Sequence, residues 1–218
     1  MLKFGGRLMK DVEEKRLEEM LKIENDLYEK GYKLIAGVDE AGRGPLCGPV
    51  VAAAVILPEN YKIEGVNDSK KLSEKKREML YDKIINEAVA VGVGISDVDV
   101  IEEVNILNAT KMAMKEAISK LSVKPDFVLI DGNQMIDIDI EASTVVSGDA
   151  KSESIAAASI IAKVTRDRML YDYDKVYPEY GFAKHKGYGT KAHIAAIKEY
   201  GLTPIHRPSF CTKFVNNK

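Results

Sequence analysis

Four acidic residues of this sequence follow predicted strands, each beside glycine or another small residue. They are Asp39, Glu40, Asp131 and Asp149. Ligands collect at the strand ends of an α/β sheet, and acids crowded there repel one another unless a cation lies among them. Carboxylate oxygens are the ligands that Mg²⁺ and Mn²⁺ prefer, and the set contains no cysteine or histidine. The sequence therefore predicts a site for hard divalent cations.

Such a cluster suits phosphoryl transfer. Two divalent ions about 3.5 to 4 Å apart can activate water on one side of a phosphorus atom and stabilise the leaving oxygen on the other. Four carboxylates offset the formal charge of two such ions, and the scissile phosphate adds the remaining negative charge. The four acids are therefore both the candidate catalytic residues and the candidate metal ligands.

Asp39 and Glu40 are neighbours in the chain, which restricts how they can share a site. Adjacent residues of a regular strand point to opposite faces of the sheet. Both carboxylates are therefore expected in one site only if the strand ends or bulges there. Because a glycine-rich segment follows, we predict a strand over 33–38 that enters a turn over 39–45.

The apolar pattern as a whole predicts an α/β fold, a mixed sheet with helices on its faces. Strands alternate with segments of helical periodicity, and a loop over 181–189 precedes the last helix. The predicted strands are 33–38, 49–57, 88–95, 127–132 and 142–146. The predicted helices are 11–29, 73–86, 99–121, one from about 152, and 190–200.

Size and composition indicate one main globular domain. The chain has 218 residues, and a chain of that length typically buries about 70% of its unfolded surface. Hydrophobic residues make up 45% and charged residues 30%, which is unlike a disordered protein. We expect residues 1–31 to form a helical N-terminal extension packed on a catalytic domain over 32–218.

Composition also restricts the cellular location and the binding partners that we expect for the protein. No apolar run approaches the ~20 residues that span a bilayer, and the N-terminus lacks a secretory signal, so we expect a cytoplasmic protein without membrane contact. The net charge of −2 means that any contact with nucleic acid comes from local patches. With no signal for oligomers, a monomer is expected.

The cysteines and histidines show no ligand spacing. Cys47 and Cys211 are expected to be reduced and at least partly buried thiols. His185, His193 and His206 are spread over the C-terminal part of the chain, and no metal is assigned to them.

Five segments match the motifs of a known family in the same order and spacing. They are 37–45 (GVDEAGRGP), 68–72 (DSKKL), 131–132 (DG), 148–152 (GDAKS) and 185–190 (HKGYGT). Together they resemble ribonuclease HII, most closely its bacterial form, over residues 32–210. Several long motifs that agree are far more specific than any single signature.

This resemblance implies a ribonuclease H-like fold, here a five-stranded mixed sheet flanked by helices, with a helical N-terminal extension and a C-terminal helical segment. It implies an endoribonuclease that hydrolyses the RNA strand of RNA/DNA hybrids and nicks 5′ of single ribonucleotides in duplex DNA. The implied products carry 3′-hydroxyl and 5′-phosphate ends, and the implied process is ribonucleotide removal in DNA repair and replication. The family's catalytic acids match all four acids above, with Asp39 as the expected bridge between two Mg²⁺ or Mn²⁺ ions.

The resemblance also implies substrate contacts. Gly42, Arg43 and Gly44 match the loop whose backbone approaches the ribose 2′-hydroxyl, and so close an approach needs small residues. Tyr188 matches the ring that stacks on the sugar beyond the RNA-to-DNA junction; by itself it would be interpreted as a half-buried loop aromatic. The expected phosphate contacts are Arg43, Lys70 and Lys151, with Lys184 and Lys186 as additions.

Other classes of protein explain the pattern less well. Sugar kinases and actin-like ATPases share the architecture but usually need a second similar half, for which the chain has no room. A nucleic-acid binder without catalysis would not need four clustered acids, whose charge repels phosphates. Junction resolvases and transposase-type nucleases lack the Gly-Arg-Gly turn and the Lys-Gly-Tyr loop. The first thirty or so residues are too short for the additional domain of ribonuclease HIII.

Overall fold

The computed structural model describes residues 3–215, with side chains from residue 11 onward. At its centre lies a five-stranded sheet in the order β3-β2-β1-β4-β5. Its strands are β1 Ile35–Ala41, β2 Val50–Ile56, β3 Ala90–Ser96, β4 Phe127–Asp131 and β5 Ala142–Val145. The β1–β2 and β2–β3 pairs are antiparallel, and the β1–β4 and β4–β5 pairs are parallel. The predicted five-stranded mixed sheet is confirmed.

Helices cover both faces of the sheet. They are α1 Lys3–Met20, α2 Lys22–Glu29, α3 Glu74–Glu87, α4 Val98–Ser119, α5 Glu153–Val176, α6 Phe182–His185, α7 Lys191–Tyr200 and α8 Pro208–Val215. The apolar side of α4 packs on one face and that of α5 on the other. Ser73, Ser152 and Thr190 start α3, α5 and α7, because each hydroxyl accepts from the N–H three residues later.

Both large helices approach the sheet closely because glycines lie beneath them. A Cβ atom at Gly37 of β1 would collide with the backbone of Ser154 at the start of α5. Gly92 and Gly94 of β3 lie in the same way under carbonyl groups of α4. The alternation of valine and glycine in β3 thus serves helix packing, and the strand ends are fixed between two helices.

The N-terminal segment forms two helices where the sequence predicts one. The break lies at Leu21, between α1 and α2. From α2, the buried carboxylate of Glu24 accepts from the Ser152 hydroxyl at 2.6 Å and from the Ser154 hydroxyl and N–H at 2.7 and 3.1 Å. This contact ties the N-terminal segment to the start of α5, next to the turn that carries the fourth acid.

Two further local predictions differ from the structure. The helix α4 bends at Asn105 (φ 68°, ψ 164°), whose side chain accepts from the N–H groups of Leu107 and Asn108 and so starts a second helical stretch. The predicted loop 181–189 contains α6. The C-terminal helical segment that the resemblance implies includes α8, with Pro208 at the first helical position, where its missing N–H costs nothing.

Cys47 and Cys211 are free and buried, as predicted. Burial raises the pKa of the Cys47 thiol to about 12 and that of Cys211 to about 11, so both stay protonated at neutral pH. Of the helices that the structure describes, none is both long enough and apolar enough to cross a membrane.

Candidate active site

The first two acids lie within β1 and not in a turn after it. The predicted end of this strand at residue 38 is wrong, because β2 pairs with β1 as far as Ala41. On the other side, β4 pairs with β1 only as far as Val38. One edge of β1 is therefore open beside Asp39 and Glu40, and both residues line a cleft at this end of the strand.

Asp39 and Glu40 reach the cleft from opposite faces of the sheet, as neighbours on a strand must. Asp39 lies on the same face as Gly37, under α5, and Glu40 lies on the same face as Val38, under α4. Both line the cleft, and Glu40 also lines an adjoining hollow together with Asp131. The early end of β4 allows the two acids to share a site without a bulge.

The other two acids are held together by one backbone contact. Asp131 ends β4, as predicted, and its Oδ1 accepts from the N–H of Gly148 at 2.7 Å. The fit is tight, because a Cβ atom at Gly148 would lie 3.1 Å from that oxygen. The 3-10 turn Gly148–Ala150, which carries Asp149, is thereby held at the end of β4.

Charge accumulates in this part of the cleft. Burial first, and then the charges of Glu40 and Asp131, raise the pKa of Asp39 well above its ordinary value. Burial also raises the pKa of Glu40, although the Arg43 guanidinium, 3.3 Å from Nη1 to Oε1, opposes the rise. The free site therefore contains more negative charge than its surroundings stabilise.

A fifth acid, Asp68, belongs to the same cluster and has no role predicted from the sequence. After burial, its charge is the next cause that raises the pKa of Asp149. Asp68 Oδ1 accepts from the N–H of Lys70 at 2.9 Å, which holds this lysine among the acids. Burial opposes a charged Lys70, but the surrounding carboxylates prevail and raise its pKa. This contact makes an Asx turn, for which aspartate is a favoured residue, and Asp68 within the motif 68–72 is the signal that could have marked it.

The donor set fits a hard divalent cation. It offers carboxylate oxygens alone, and a cation would relieve the repulsion that raises the pKa of Asp39. Among the described residues, no three acidic, histidine or cysteine side chains already surround one point as metal ligands do. Instead Glu40 faces Arg43, and Asp131 accepts from Gly148. A cation would take the place of Arg43 beside Glu40, whereas the contact of Asp131 uses Oδ1 and leaves Oδ2 available to a cation.

Opposite the acids, the loop over 42–49 rests on two buried arginines. Arg207 is 0% exposed and donates at 2.7 to 3.1 Å to four carbonyl oxygens, those of Gly42, Arg43, Pro45 and Gly48. Arg166 is 1% exposed and donates at 2.9 to 3.0 Å to three carbonyl oxygens, those of Cys47, Pro49 and Lys186. Burial, and then the charge of Arg166, lower the pKa of Arg207 to about 10, so it remains charged at neutral pH.

Tyr188 stands at the mouth of the cleft, 47% exposed, on a loop joined to this one. The N–H of Leu46 donates to the carbonyl oxygen of Gly187 at 2.8 Å. A side chain at Gly187 would press on Cys47, with Cβ 2.7 Å from its Sγ atom. The two loops therefore form one unit, called the reading side below: residues 42–49 and 187–189.

Buried histidines hold Tyr188 from behind. The Nδ1 atom of His193 lies 3.0 Å from the carbonyl oxygen of Tyr188 and must carry the proton, so Nε2 of His193 accepts. His206 Nε2, at 3.0 Å, then donates, and its Nδ1 accepts from the N–H of Thr203. Both rings are thus neutral, and burial lowers the pKa of each to about 4.

Comparison with known proteins agrees with this geometry. The family model described as Ribonuclease HII matches residues 36–213. The chain belongs to the ribonuclease HII family. Ribonuclease HII of Acetivibrio thermocellus is 60% identical over 224 residues, covering 97% of this chain and 88% of the relative. That of Clostridioides difficile is 60% identical over 198 residues, covering 91% and 78%.

The fold is similar to that of a solved ribonuclease H structure. Ribonuclease H2 from Pyrococcus horikoshii has a TM-score of 0.69 and 30% identity, and the alignment covers 84% of this chain and all of that one. The ribonuclease H-like fold is therefore confirmed. As a member of the ribonuclease HII family, the chain is a metal-dependent endoribonuclease of ribonuclease H type, which acts on RNA paired with DNA. The ATPase, binding-module and resolvase alternatives are excluded.

The ribonuclease HII motifs do not bring every expected phosphate contact to the cleft. Arg43 and Lys70 line it and are exposed. Lys151 donates instead to a backbone carbonyl, that of Val146, at 2.8 Å. Lys186 is buried, with its ammonium 3.6 Å from the ring centre of a tyrosine on α5, and Lys184 is exposed on α6, apart from the cleft lining.

Some residues that shape this ribonuclease HII cleft were missed in the sequence. Lys163 of α5 lines the cleft and pairs with Asp167 at 2.7 Å. Arg77 of α3 donates to the Ser69 carbonyl at 3.0 Å and so supports the segment that carries Lys70. These residues, like Arg166 and Arg207, belong to types that are mostly exposed, and no local pattern marks their burial.

Proposed function

We propose that this enzyme nicks duplex DNA on the 5′ side of a single embedded ribonucleotide, as well as hydrolysing the RNA strand of longer hybrids. The proposed products carry 3′-hydroxyl and 5′-phosphate ends, and the proposed role is ribonucleotide removal in DNA repair and replication. One observation carries the proposal: Asp39 and Glu40 line the same cleft as the Gly42-to-Gly44 loop and Tyr188. Acids suited to phosphate hydrolysis and a backbone suited to sugar recognition therefore lie within reach of one nucleotide.

The catalytic residues of the proposal are Asp39, Glu40, Asp131 and Asp149, as ligands of two Mg²⁺ or Mn²⁺ ions. Such ions supply an activated water and stabilise the leaving oxygen. Asp39 is the most buried of the four, and the charges of the other three all raise its pKa, which supports a bridging position. The contact of Asp131 with the Gly148 turn keeps Asp149 near the other acids.

The substrate contacts of the proposal surround these acids. Backbone groups of Gly42, Arg43 and Gly44 recognise the 2′-hydroxyl, and the exposed ring of Tyr188 stacks on the next sugar. The exposed cations Arg43 and Lys70 contact phosphates beside the scissile bond. Lys151 is kept among the proposed phosphate contacts because it belongs to the family motif 148–152. Its ammonium group here donates to a backbone carbonyl, that of Val146.

The test is cleavage of a labelled DNA duplex with one ribonucleotide, in Mg²⁺ or Mn²⁺ and in EDTA. We expect a single nick 5′ of the ribonucleotide that disappears in EDTA. Asp39→Asn, which keeps the shape of the side chain and removes its charge, is the matched control and should not nick. The same duplex with deoxyribose throughout should stay intact.

Three other outcomes would each contradict a part of the proposal. Cutting of long hybrids without nicking at a single ribonucleotide would retain ribonuclease H activity and refute the proposed nicking at embedded ribonucleotides. Cutting of the duplex that contains only deoxyribose would refute recognition of the 2′-hydroxyl. Activity that persists in Asp39→Asn would remove Asp39 from the site.

A further inference from the structure

Arg207 differs from most buried arginines because its hydrogen bonds go to backbone carbonyls. Two of these carbonyls belong to Gly42 and Arg43, at 2.7 and 3.1 Å, in the loop that borders the cleft. A guanidinium has five donors in a fixed planar fork, so it sets the orientation of the peptide groups it binds.

The orientation of these carbonyls fixes the direction of the neighbouring amides. In a trans peptide group the C=O and N–H bonds point in opposite directions, and the described backbone contains no cis peptide. The carbonyl of Gly42 points at Arg207, so the N–H of Arg43 points away from it. The same holds for the carbonyl of Arg43 and the N–H of Gly44. Within residues 3–215 neither N–H has an acceptor, and both residues line the cleft.

Arg166 provides the internal comparison. It is equally buried and binds the carbonyls of Cys47 and Lys186. The N–H of Gly48, which follows Cys47, donates to the Ile205 carbonyl at 2.7 Å, and that of Gly187 donates to His185 at 3.2 Å. The amides next to these two carbonyls are thus used within the protein. Arg207 also binds the Pro45 carbonyl, and the Leu46 N–H that follows it donates to the Gly187 carbonyl. Among the described residues that follow carbonyls bound by Arg207, those with an amide free at the cleft are Arg43 and Gly44.

We propose that Arg207 is a specificity-determining positioning residue, which turns the Arg43 and Gly44 amides toward the cleft so that they can bind the ribose 2′-hydroxyl oxygen. This inference rests on the proposed function. The positive charge of Arg207 adds to the effect, because it aligns two peptide dipoles with their N–H ends toward the substrate. Arg207 touches no substrate and acts only through the loop.

The test compares Arg207→Lys with Arg166→Lys as the matched control. Lysine keeps the charge but lacks the planar fork. Two quantities are measured for each variant: kcat/KM on a DNA duplex with one ribonucleotide, and the inhibition constant of the same duplex with deoxyribose only. For Arg207→Lys we expect kcat/KM to fall about tenfold, the equivalent of about one hydrogen bond, with the inhibition constant within about twofold of wild type. For Arg166→Lys the ratio of the two quantities should stay within about threefold of wild type.

Several outcomes would overturn the inference. They are an unchanged kcat/KM in folded Arg207→Lys, an equal weakening of both duplexes, or an equal loss of ratio in the two lysine variants. If the wild-type enzyme itself does not distinguish the two duplexes, the proposed function is refuted, and with it the inference that rests on it. If Arg207→Lys does not fold, amide hydrogen exchange of wild type decides: the Arg43 and Gly44 amides should be protected by the ribonucleotide duplex and not by the deoxyribose duplex, and equal protection would refute the inference.

Discussion

The acid side of the cleft, formed by Asp39, Glu40, Asp131 and Asp149, differs from the reading side in how its polar groups are partnered. Burial and mutual repulsion raise the pKa of three of these acids, and the Arg43 guanidinium lies 3.3 Å from one of them, Glu40. On the reading side, buried arginines bind the inward carbonyls, and a chain of neutral histidines holds Tyr188. On the proposed function a bound cation would complete the acid side, whereas the reading side is already in place, so that little ordering of its loops is needed on binding.

The largest expected effect concerns the acid side. On the proposed function Asp131→Asn removes a charge that binds metal, so it should lower cleavage by on the order of a thousandfold with little change in melting temperature. Asparagine keeps an oxygen that can accept from the Gly148 N–H and also relieves repulsion. Asp131→Ala should lose activity to the same degree and also melt earlier. Full activity of Asp131→Asn would place Asp131 outside the catalytic set.

The second largest expected effect concerns Tyr188 on the reading side. Tyr188→Ala should lower cleavage at a single ribonucleotide about tenfold, consistent with about 1 to 3 kcal/mol for an aromatic stack on a nucleotide. Long hybrids should be cut with a smaller loss, because they offer many equivalent registers. Tyr188→Phe keeps the ring and should behave like wild type. Equal losses on both substrates would argue against a role of Tyr188 at the junction.

A stability measurement tests whether the acid side is strained without metal. Because the pKa of Asp39 is raised in the folded state, its contribution to stability is present at acidic pH and is lost as the pH rises through the raised value. At pH 7 in EDTA, Asp39→Asn should therefore melt higher than wild type by roughly 2 to 4 °C, or about 1 kcal/mol for a chain of this size. Saturating Mg²⁺ should reduce or reverse the difference. Identical melting in EDTA would show that the acids do not strain the fold.

The smallest effect at neutral pH concerns the histidine chain. His193 and His206 have pKa values of about 4 in the folded protein and an ordinary value of 6.5. Their stabilising effect is therefore present above about pH 6.5 and is lost as the pH falls toward 4. His206→Gln removes one of the two titrating rings, so its free energy of unfolding should fall less steeply over this range. Chemical denaturation at several pH values measures the slopes, and parallel slopes would refute the prediction.

The sequence predicts the parts of this molecule that depend on local signals. The five strands follow from apolar runs, and the helices predicted from 73, about 152 and 190 begin one residue after those positions, where hydroxyl groups cap them. The acids at the strand ends are visible as a set, and the family motifs add the loop over 42–44. These features need only neighbouring residues to be recognised.

What the sequence does not predict depends on distant partners. The strand β1 continues through Asp39 because β2 pairs with it there, and a pattern that favours a turn gives no sign of this pairing. Arg166 resembles any solvated helix residue until the carbonyls that it binds are known. The histidine chain joins Thr203 to Tyr188 through two rings, and ring-to-ring contact has no signature in spacing.

Arg207, which anchors the loop of the reading side, lies late in the chain and is therefore synthesised late. Arg207 follows Gly48, one of its carbonyl partners, by 159 residues, whereas the last of the four acids is at position 149. A chain emerging from the ribosome therefore carries all its acids well before the residue that orients the loop. On the proposal made above, a nascent or C-terminally shortened chain would possess hydrolytic groups without the means to tell ribose from deoxyribose. Selectivity would be the last property that the growing polypeptide acquires.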